Sequence, residues 1–358
     1  FGSSTREGGC GPPAAHWRPQ AMSCLGWLAA GESKILDQYS LGRTVGQGKY
    51  GTVKVAKQLR TGQTVALKIV PRQKMDRRRL QQEIQMQRRL DHKHVARLFE
   101  VIETGSTTFL AMEFLAGGDL FNYLVKRGRL HEDESRRLFQ QIIAGVEHCH
   151  SRRCVHRDLK LENIILDSRC NAKIVDFGLS AEIQAGTALT DRCGSPHYAA
   201  PELLAETCAY RGPEADIWSC GVVLYALLCN FLPFDAPRVS DIFTQIRLGR
   251  YSVPRFVSTA AAELLGQLLR VVPEQRGSIA QIKADGWFAR DLPADLKASS
   301  PVAPPAQADV EVIPRTEELA TVAGKCGGPK AGRLARLRRQ LAKLLAVRLL
   351  GGLPAPLL

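Results

Sequence analysis

The sequence has no Cys-x-x-Cys pair and no alternation of cysteine with histidine at metal-ligand spacing, although it holds ten cysteines. That argues against a zinc site or a disulfide framework and leaves the thiols as buried or incidental groups of a reducing compartment. It has no run of about 18 uncharged apolar residues, so no spanning helix is expected. The stretch ahead of Met22, the expected start, lacks the basic and then apolar regions of a secretory signal. No internal repeat is detectable. Acidic residues are missing between Lys325 and Leu350, where eight basic residues stand without a single acid. Of the formal net charge of +14, the rest of the chain therefore carries only +6. A body of such modest charge suits an anionic ligand and gives no argument for nucleic-acid binding.

What is present is an ordinary globular balance, 45% hydrophobic and 23% charged over 358 residues. Wholesale disorder and a single small module are both excluded; one large two-lobed domain or two ordinary ones are expected. Residues 1–38 read as a flexible leader rich in Gly, Ser, Pro and Ala. Stretches 39–45, 51–58 and 64–70 carry β-branched residues between glycine-containing turns, the signature of an antiparallel meander. A charged helix over 77–90 and strands over 96–103 and 107–114 complete a first lobe that is mostly sheet with one helix. Beyond Gly117-Gly118 helical periodicity dominates, over 119–126, 132–150, 213–228, 239–248 and 259–269, interrupted by short strands at 164–166 and 172–175. An Ala- and Pro-rich linker is expected over 292–329, and a basic amphipathic tail over 330–358.

Gly46-Gln47-Gly48-Lys49-Tyr50-Gly51-Thr52-Val53 matches G-x-G-x-x-G-x-V between two expected strands, where absent side chains let backbone amides approach phosphate oxygens. A dinucleotide-binding fingerprint would put a helix straight after the glycines, whereas residues 52–56 continue as a strand. Val65-Ala66-Leu67-Lys68 places a lysine on the next strand, and Glu83 on the following helix could pair with it. Taken alone, these two are an ordinary surface lysine and glutamate. They stand, however, ahead of His156-Arg157-Asp158-Leu159-Lys160-Leu161-Glu162-Asn163, of Asp176-Phe177-Gly178 and of Ala200-Pro201-Glu202.

With these motifs in this order, the chain resembles a eukaryotic serine/threonine protein kinase over residues 39–288. Cys193-Gly194-Ser195-Pro196-His197-Tyr198 and Asp216-Ile217-Trp218-Ser219-Cys220-Gly221 resemble the AMP-activated protein kinase branch of the calcium/calmodulin-dependent group. The resemblance implies an α+β, two-lobed protein kinase fold over 39–291, with a small β-rich N-lobe (39–113) carrying one main helix and a larger α-helical C-lobe (117–291). It implies ATP and Mg²⁺ as nucleotide and metal. Gly46, Gln47, Gly48 and Gly51 would cover the phosphates, and Lys68 would hold the α- and β-phosphates while paired to Glu83. Asn163 and Asp176 would bind the metal ions, Asp158 would accept the proton of the substrate hydroxyl, and Lys160 would steady the transferred phosphate. Val53 and Ala66 above and Leu166 below would sandwich the adenine, Met112 and Glu113 would lead into the hinge, and Asp119 would sit near the ribose. Asp119 and Glu162 are also acids placed to read a basic residue upstream of the target. Asp216 would support the catalytic-loop backbone, and Arg276 would pair with Glu202.

Three positions depart from the pattern. Asp191 stands where related kinases usually carry an activating threonine, so its carboxylate is expected to satisfy Arg157 in part, with Thr190 as the rival regulatory site. Gln87 occupies a helical position where an apolar residue normally packs against Phe177. Val272 precedes Pro273 where Asp is usual. The implied partners are protein substrates, with regulatory subunits or an upstream kinase, and no nucleic acid. The tail could add weak contact with an acidic membrane or calmodulin. A cytoplasmic location with access to the nucleus is expected. The alternative reading is a catalytically silent kinase-fold scaffold, which the presence of Lys68, Asp158 and Asp176 disfavours.

Overall fold

The computed structural model describes residue 35 and residues 37–48, 50–183, 187–205 and 209–297. The basic tail, nearly all of the expected linker and most of the expected leader lie outside the described residues. The chain divides into two compact units, one running to residue 76 and including 99–114, the other comprising 77–98 and everything from 115.

In the first unit, β1 (Tyr39–Gln47), β2 (Thr52–Gln58), β3 (Thr64–Pro71), β4 (Leu98–Glu103) and β5 (Thr107–Glu113) form one sheet in the order β1-β2-β3-β5-β4. The pleat sends alternate side chains to opposite faces. Val65 and Leu67 are buried with Ile35, Tyr39, Ala56, Ile102, Phe109 and Ala111, whereas Ala66 and Lys68 stay half-buried on the other face. Tyr39 adds a 2.5 Å hydrogen bond from its hydroxyl to Glu100. Ile35 is fully buried in this core, so the leader expected through residue 38 is too long. An isoleucine that can reach an apolar core gains about 2 kcal/mol by joining it.

The second unit opens with α1 (Arg77–Arg88), which the sequence reading assigned to the sheet lobe. It groups with the helical unit because its polar groups close on residues 178–182. Arg79 donates to the Gly178 carbonyl (3.0 Å), Gln82 to the Ser180 carbonyl (3.3 Å), and Arg89, just past the helix, to the Glu182 carboxylate (2.6 Å). Met86 meanwhile enters the large apolar core. Then follow α2 (Leu120–Arg127), α3 (Glu132–Ser151), α4 (Gly212–Cys229), α5 (Val239–Leu248) and α6 (Thr259–Leu268). Every residue from Ala215 to Cys229 is buried, the mark of a helix that is apolar all round and sits at the centre of a core. Short helices at Ile279–Ala284, Gly286–Ala289 and Ala294–Lys297 end the described chain. Leu292 and Leu296 are buried, so the linker expected from residue 292 begins later.

The segment between α3 and α4 forms two small sheets, β6-β8-β9 (Gly118–Asp119, Ile164–Leu166, Ala172–Ile174), whose β6 comes from just ahead of α2, and β7-β10 (Cys154–Val155, Ala181–Glu182). Beyond α6, Arg276 is wholly buried and binds Glu202 through two bonds of 2.8 and 3.1 Å while its guanidinium lies 5.2 Å from the Trp218 ring centre. No helix among the described residues is long and apolar enough to cross a membrane.

The turn before β4 rests on α3. His92 stacks on His148 with ring centres 4.9 Å apart, and His94 binds the Ala172 carbonyl at 2.9 Å. Burial, helped by neighbouring positive groups, pushes His92 down to about 3; burial pushes His94 down to about 4 and also lowers His148. The unfolded chain therefore takes up protons first as pH falls, and stability present above about pH 6.5 is lost toward pH 4. Urea unfolding should show a lower midpoint at pH 5 than at pH 7.5, and a smaller difference in His92→Gln combined with His148→Gln; equal differences would count against it. Arg276→Met leaves the mostly buried Glu202 unpaired and should cost about 3 kcal/mol in urea unfolding, whereas Arg238→Met, at the solvent-exposed pair with Asp241, should leave the midpoint unchanged.

Candidate active site

The first unit gathers its site residues by register. Gly46 pairs with Val53, Val53 with Lys68, and, two residues along β3, Ala66 with Met112. Directly opposed residues share a face, so Val53, Ala66, Lys68 and Met112 lie together on the half-buried face, opposite the Leu67 core. Glu113 follows Met112 at the end of β5. The turn from Gln47 to Thr52 is closed by a 2.9 Å bond from the Gly48 N–H to the Gly51 carbonyl. Its glycines differ in need: a Cβ on Gly51 would collide with the Ile69 carbonyl, while one on Gly46 would meet only Val53 at 3.6 Å.

The second unit brings Asp158, Lys160 and Asn163 together on one loop. Asp158 Oδ2 accepts from Lys160 Nζ (2.5 Å) and Asn163 Nδ2 (3.2 Å), and Oδ1 accepts from the Ser195 hydroxyl (2.9 Å). Lys160 also donates to Ser195 (2.9 Å), and Asn163 to the Asp158 carbonyl (2.9 Å). A carboxylate has about four lone-pair sites and an ammonium three donors. Asp158 therefore keeps about one open acceptor and Lys160 about one open donor, side by side.

The loop is held from beneath. Asp216, buried in α4, accepts from the His156 N–H (2.8 Å), the Arg157 N–H (2.8 Å) and His150 Nε2 (2.9 Å). Burial alone would raise its pKa, but these hydrogen bonds and the neighbouring imidazoles outweigh burial and hold the carboxyl below its ordinary value. Arg157 and Asp176 both have φ of 65°, left-handed backbone that a non-glycine residue adopts only when its surroundings enforce it. His156 binds the Val175 carbonyl at 3.0 Å and its ring packs edge-on to Phe177, 5.0 Å away, so the catalytic loop and the Asp176 turn are one piece.

Around Gly178, a Cβ would lie 3.2 Å from Glu83 Oε2 and 3.3 Å from Asp176 Oδ1, so glycine lets two carboxylates crowd one backbone turn. Glu83 and Gln87 are both buried on α1, as is Phe177. Leu166 is fully buried in β8. Asp119 is the N-cap of α2: its Oδ1 accepts from the Asn122 N–H and its Oδ2 from the Asn122 amide, both at 2.7 Å. Thr190 is exposed, and Asp191 reaches Arg157 Nη1 at 3.4 Å. Val272 precedes a 3₁₀ turn, Pro273–Gln275, and supplies no side-chain cap.

Two groups that matter here stand outside the set chosen from sequence. Ser195 touches Asp158 directly; it lay inside the Cys-Gly-Ser-Pro stretch but carried no signal of its own. Tyr210 meets Arg157 and the Asp191 carbonyl, and an isolated tyrosine in a loop gives no pattern to find.

Magnesium fits the residues present. Both N–H bonds of the Asn163 amide go to Asp158, and no described hydrogen bond takes up its Oδ1; that amide oxygen and the carboxylate of Asp176 are both hard oxygen donors. No group of three or more His, Cys, Asp or Glu among the described residues could cage a metal. A two-oxygen set completed by water and phosphate is how Mg²⁺ is usually held.

A five-stranded sheet with a glycine turn, followed by a helical unit whose catalytic loop is gripped by a buried aspartate, defines the protein kinase class. A family model described as "Protein kinase domain" matches residues 39–288. The SNF1-related protein kinase catalytic subunit alpha KIN12 of Arabidopsis thaliana is 48% identical over 266 residues, covering 73% of this chain and 53% of that protein. The serine/threonine protein kinases OSK3 (Oryza sativa subsp. indica) and OSK4 (Oryza sativa subsp. japonica) are each 46% identical over 275 residues, covering 76% of this chain and 54% of theirs. The chain thus spans about half the length of the curated relatives it matches. It belongs to the protein kinase family, beside the SNF1-related serine/threonine kinases.

Gly51→Ala must displace the β2–β3 pairing and should lower the melting temperature by several degrees, while Gly46→Ala should leave it nearly unchanged. Thermal unfolding of the two variants checks this, and equal melting temperatures would contradict it.

Proposed function

We propose that the chain is an ATP-dependent serine/threonine protein kinase that transfers the γ-phosphoryl group of ATP to serine or threonine hydroxyls of protein substrates. The observation that carries this reading is the open acceptor on Asp158 beside the open donor on Lys160. As the substrate oxygen attacks the γ-phosphorus and the bond to the bridging oxygen breaks, Asp158 takes the hydroxyl proton, Lys160 steadies a phosphoryl oxygen, and ADP departs. Magnesium, when bound by Asn163 and Asp176, neutralises phosphate charge. Lys68 is assigned to the α- and β-phosphates, and the turn from Gly46 to Gly51 to covering them. Val53, Ala66 and Leu166 are assigned to the adenine, and Met112 and Glu113 to its polar edge.

Substrates with a basic residue upstream of the target are favoured, and Asp119 and Glu162 are the acids assigned to reading it. The relative KIN12 is named a catalytic subunit, and companion subunits are proposed here on that likeness.

Purified chain given Mg²⁺ and radiolabelled ATP should phosphorylate a serine peptide with an upstream arginine. Asp158→Asn should lower kcat by about 10²–10⁴, and Asp176→Ala should abolish turnover. Identical label incorporation by wild type and both variants would overturn the reading in favour of a silent scaffold.

A further inference from the structure

Arg157 adjoins the proton acceptor, and its guanidinium is nearly buried. Among the described residues its one ion-pair partner is Asp191, whose own side chain is 77% exposed. The guanidinium also donates from Nε to the Leu179 carbonyl (2.6 Å) and from Nη1 to the Tyr210 hydroxyl (3.5 Å). That hydroxyl donates in turn to the Asp191 carbonyl (3.2 Å). Tyr210 is 4% exposed, and its backbone is tied both ways to Leu189, by bonds of 2.9 and 3.0 Å. Three residues past Asp191, Gly194 adopts φ of 99° and comes so close that a Cβ there would lie 2.8 Å from the Arg157 carbonyl. The next residue is Ser195, whose hydroxyl binds Asp158. The stretch from Leu189 to Ser195 is thus stitched at both ends, with one carboxylate, one guanidinium and one phenol in between.

Resting on the reading of this chain as a kinase, we propose that Asp191, Arg157 and Tyr210 form a clasp that positions the 189–195 stretch, and through Ser195 the acceptor Asp158, with no phosphate attached to that stretch. Asp191 and Tyr210 touch no reacting atom and act as positioning residues. The clasp is a geometric device and not a large source of stability, because an ion pair at 3.4 Å with one partner mostly exposed is weak. A phosphate would bring about −1.5 to −2 charges in the same region; Asp191 supplies a single charge that is always present. Tyr210 makes up the difference by fixing the backbone at Asp191, so the weak carboxylate need not do so alone.

The test uses the full chain treated with phosphatase, with mass spectrometry showing residues 187–205 unmodified. Peptide phosphorylation should survive this treatment and should also survive in Thr190→Ala. Asp191→Ala and Tyr210→Phe should each lower kcat at least fivefold with peptide KM little changed, and Asp191→Glu should restore most of the loss. Raising ionic strength from about 0.05 to about 0.5 M should depress the wild type more than Asp191→Ala, since the half-exposed pair is screened. Loss of activity on phosphatase treatment, or unchanged kcat in both Asp191→Ala and Tyr210→Phe, overturns the clasp. A parallel Asp158→Asn sample separates this from failure of the kinase reading. In untreated enzyme, transfer that does not depend on Asp158 sinks that reading instead. Limited proteolysis judges the clasp without any activity: cleavage within 187–195 should be at least threefold faster in Asp191→Ala than in wild type, and equal rates contradict it.

Discussion

The arrangement depends on one buried carboxylate. Asp216 sits in a helix buried from Ala215 to Cys229, where an unpaired charge would be costly, and it is kept ionised by two backbone N–H groups and an imidazole. The two N–H groups belong to consecutive residues, His156 and Arg157. Gripping both fixes the left-handed turn at Arg157, and that turn aims Asp158 at the lysine and amide that share it. A carboxylate accepts without donating, so the bond to His150 also fixes which ring nitrogen of that histidine carries hydrogen.

From this anchor the charges divide in a way that suits phosphoryl chemistry. Asp158, Asp176 and Glu83 are acids in the helical unit, and Lys160 is a cation paired with Asp158. In the sheet unit, Lys68 stands on the half-buried face in register with Val53 and alongside Ala66 and Met112. Phosphoryl transfer asks a protein for alignment and charge neutralisation more than for covalent chemistry. Glycine serves it twice, at Gly51 beneath the Ile69 carbonyl and at Gly178 between two carboxylates.

Much of this was legible in the sequence because the groups that must meet on one loop lie at fixed separations along it. Asp158, Lys160 and Asn163 are such a set, and the helices expected over 132–150 and 213–228 followed from apolar periodicity. What escaped is what distance along the chain conceals. Ser195 meets Asp158 across 37 residues and Tyr210 meets Arg157 across 53, with no spacing to betray either contact. The charged helix over 77–90 was legible as a helix, but nothing in its pattern told which unit owns it. Asp119 carries a capping duty that Asn122, three residues on, could have signalled. The helix from Ile279 had a readable capping box in Ser278 and Gln281, but six residues give periodicity little to work on. Ile35 and Leu296 show the folded chain running past both ends expected from composition, since a single buried side chain leaves no compositional trace.

The central claim is that Asp216 sets the geometry with which Asp158 accepts a proton. Single-turnover transfer from ATP to a serine peptide in Asp216→Asn tests it most directly. An asparagine offers one acceptor and turns a donor toward a backbone N–H, so the catalytic turn should relax and the transfer rate should fall at least tenfold in a protein that still unfolds cooperatively. A rate within twofold of wild type, with the same folded baseline, would contradict the account.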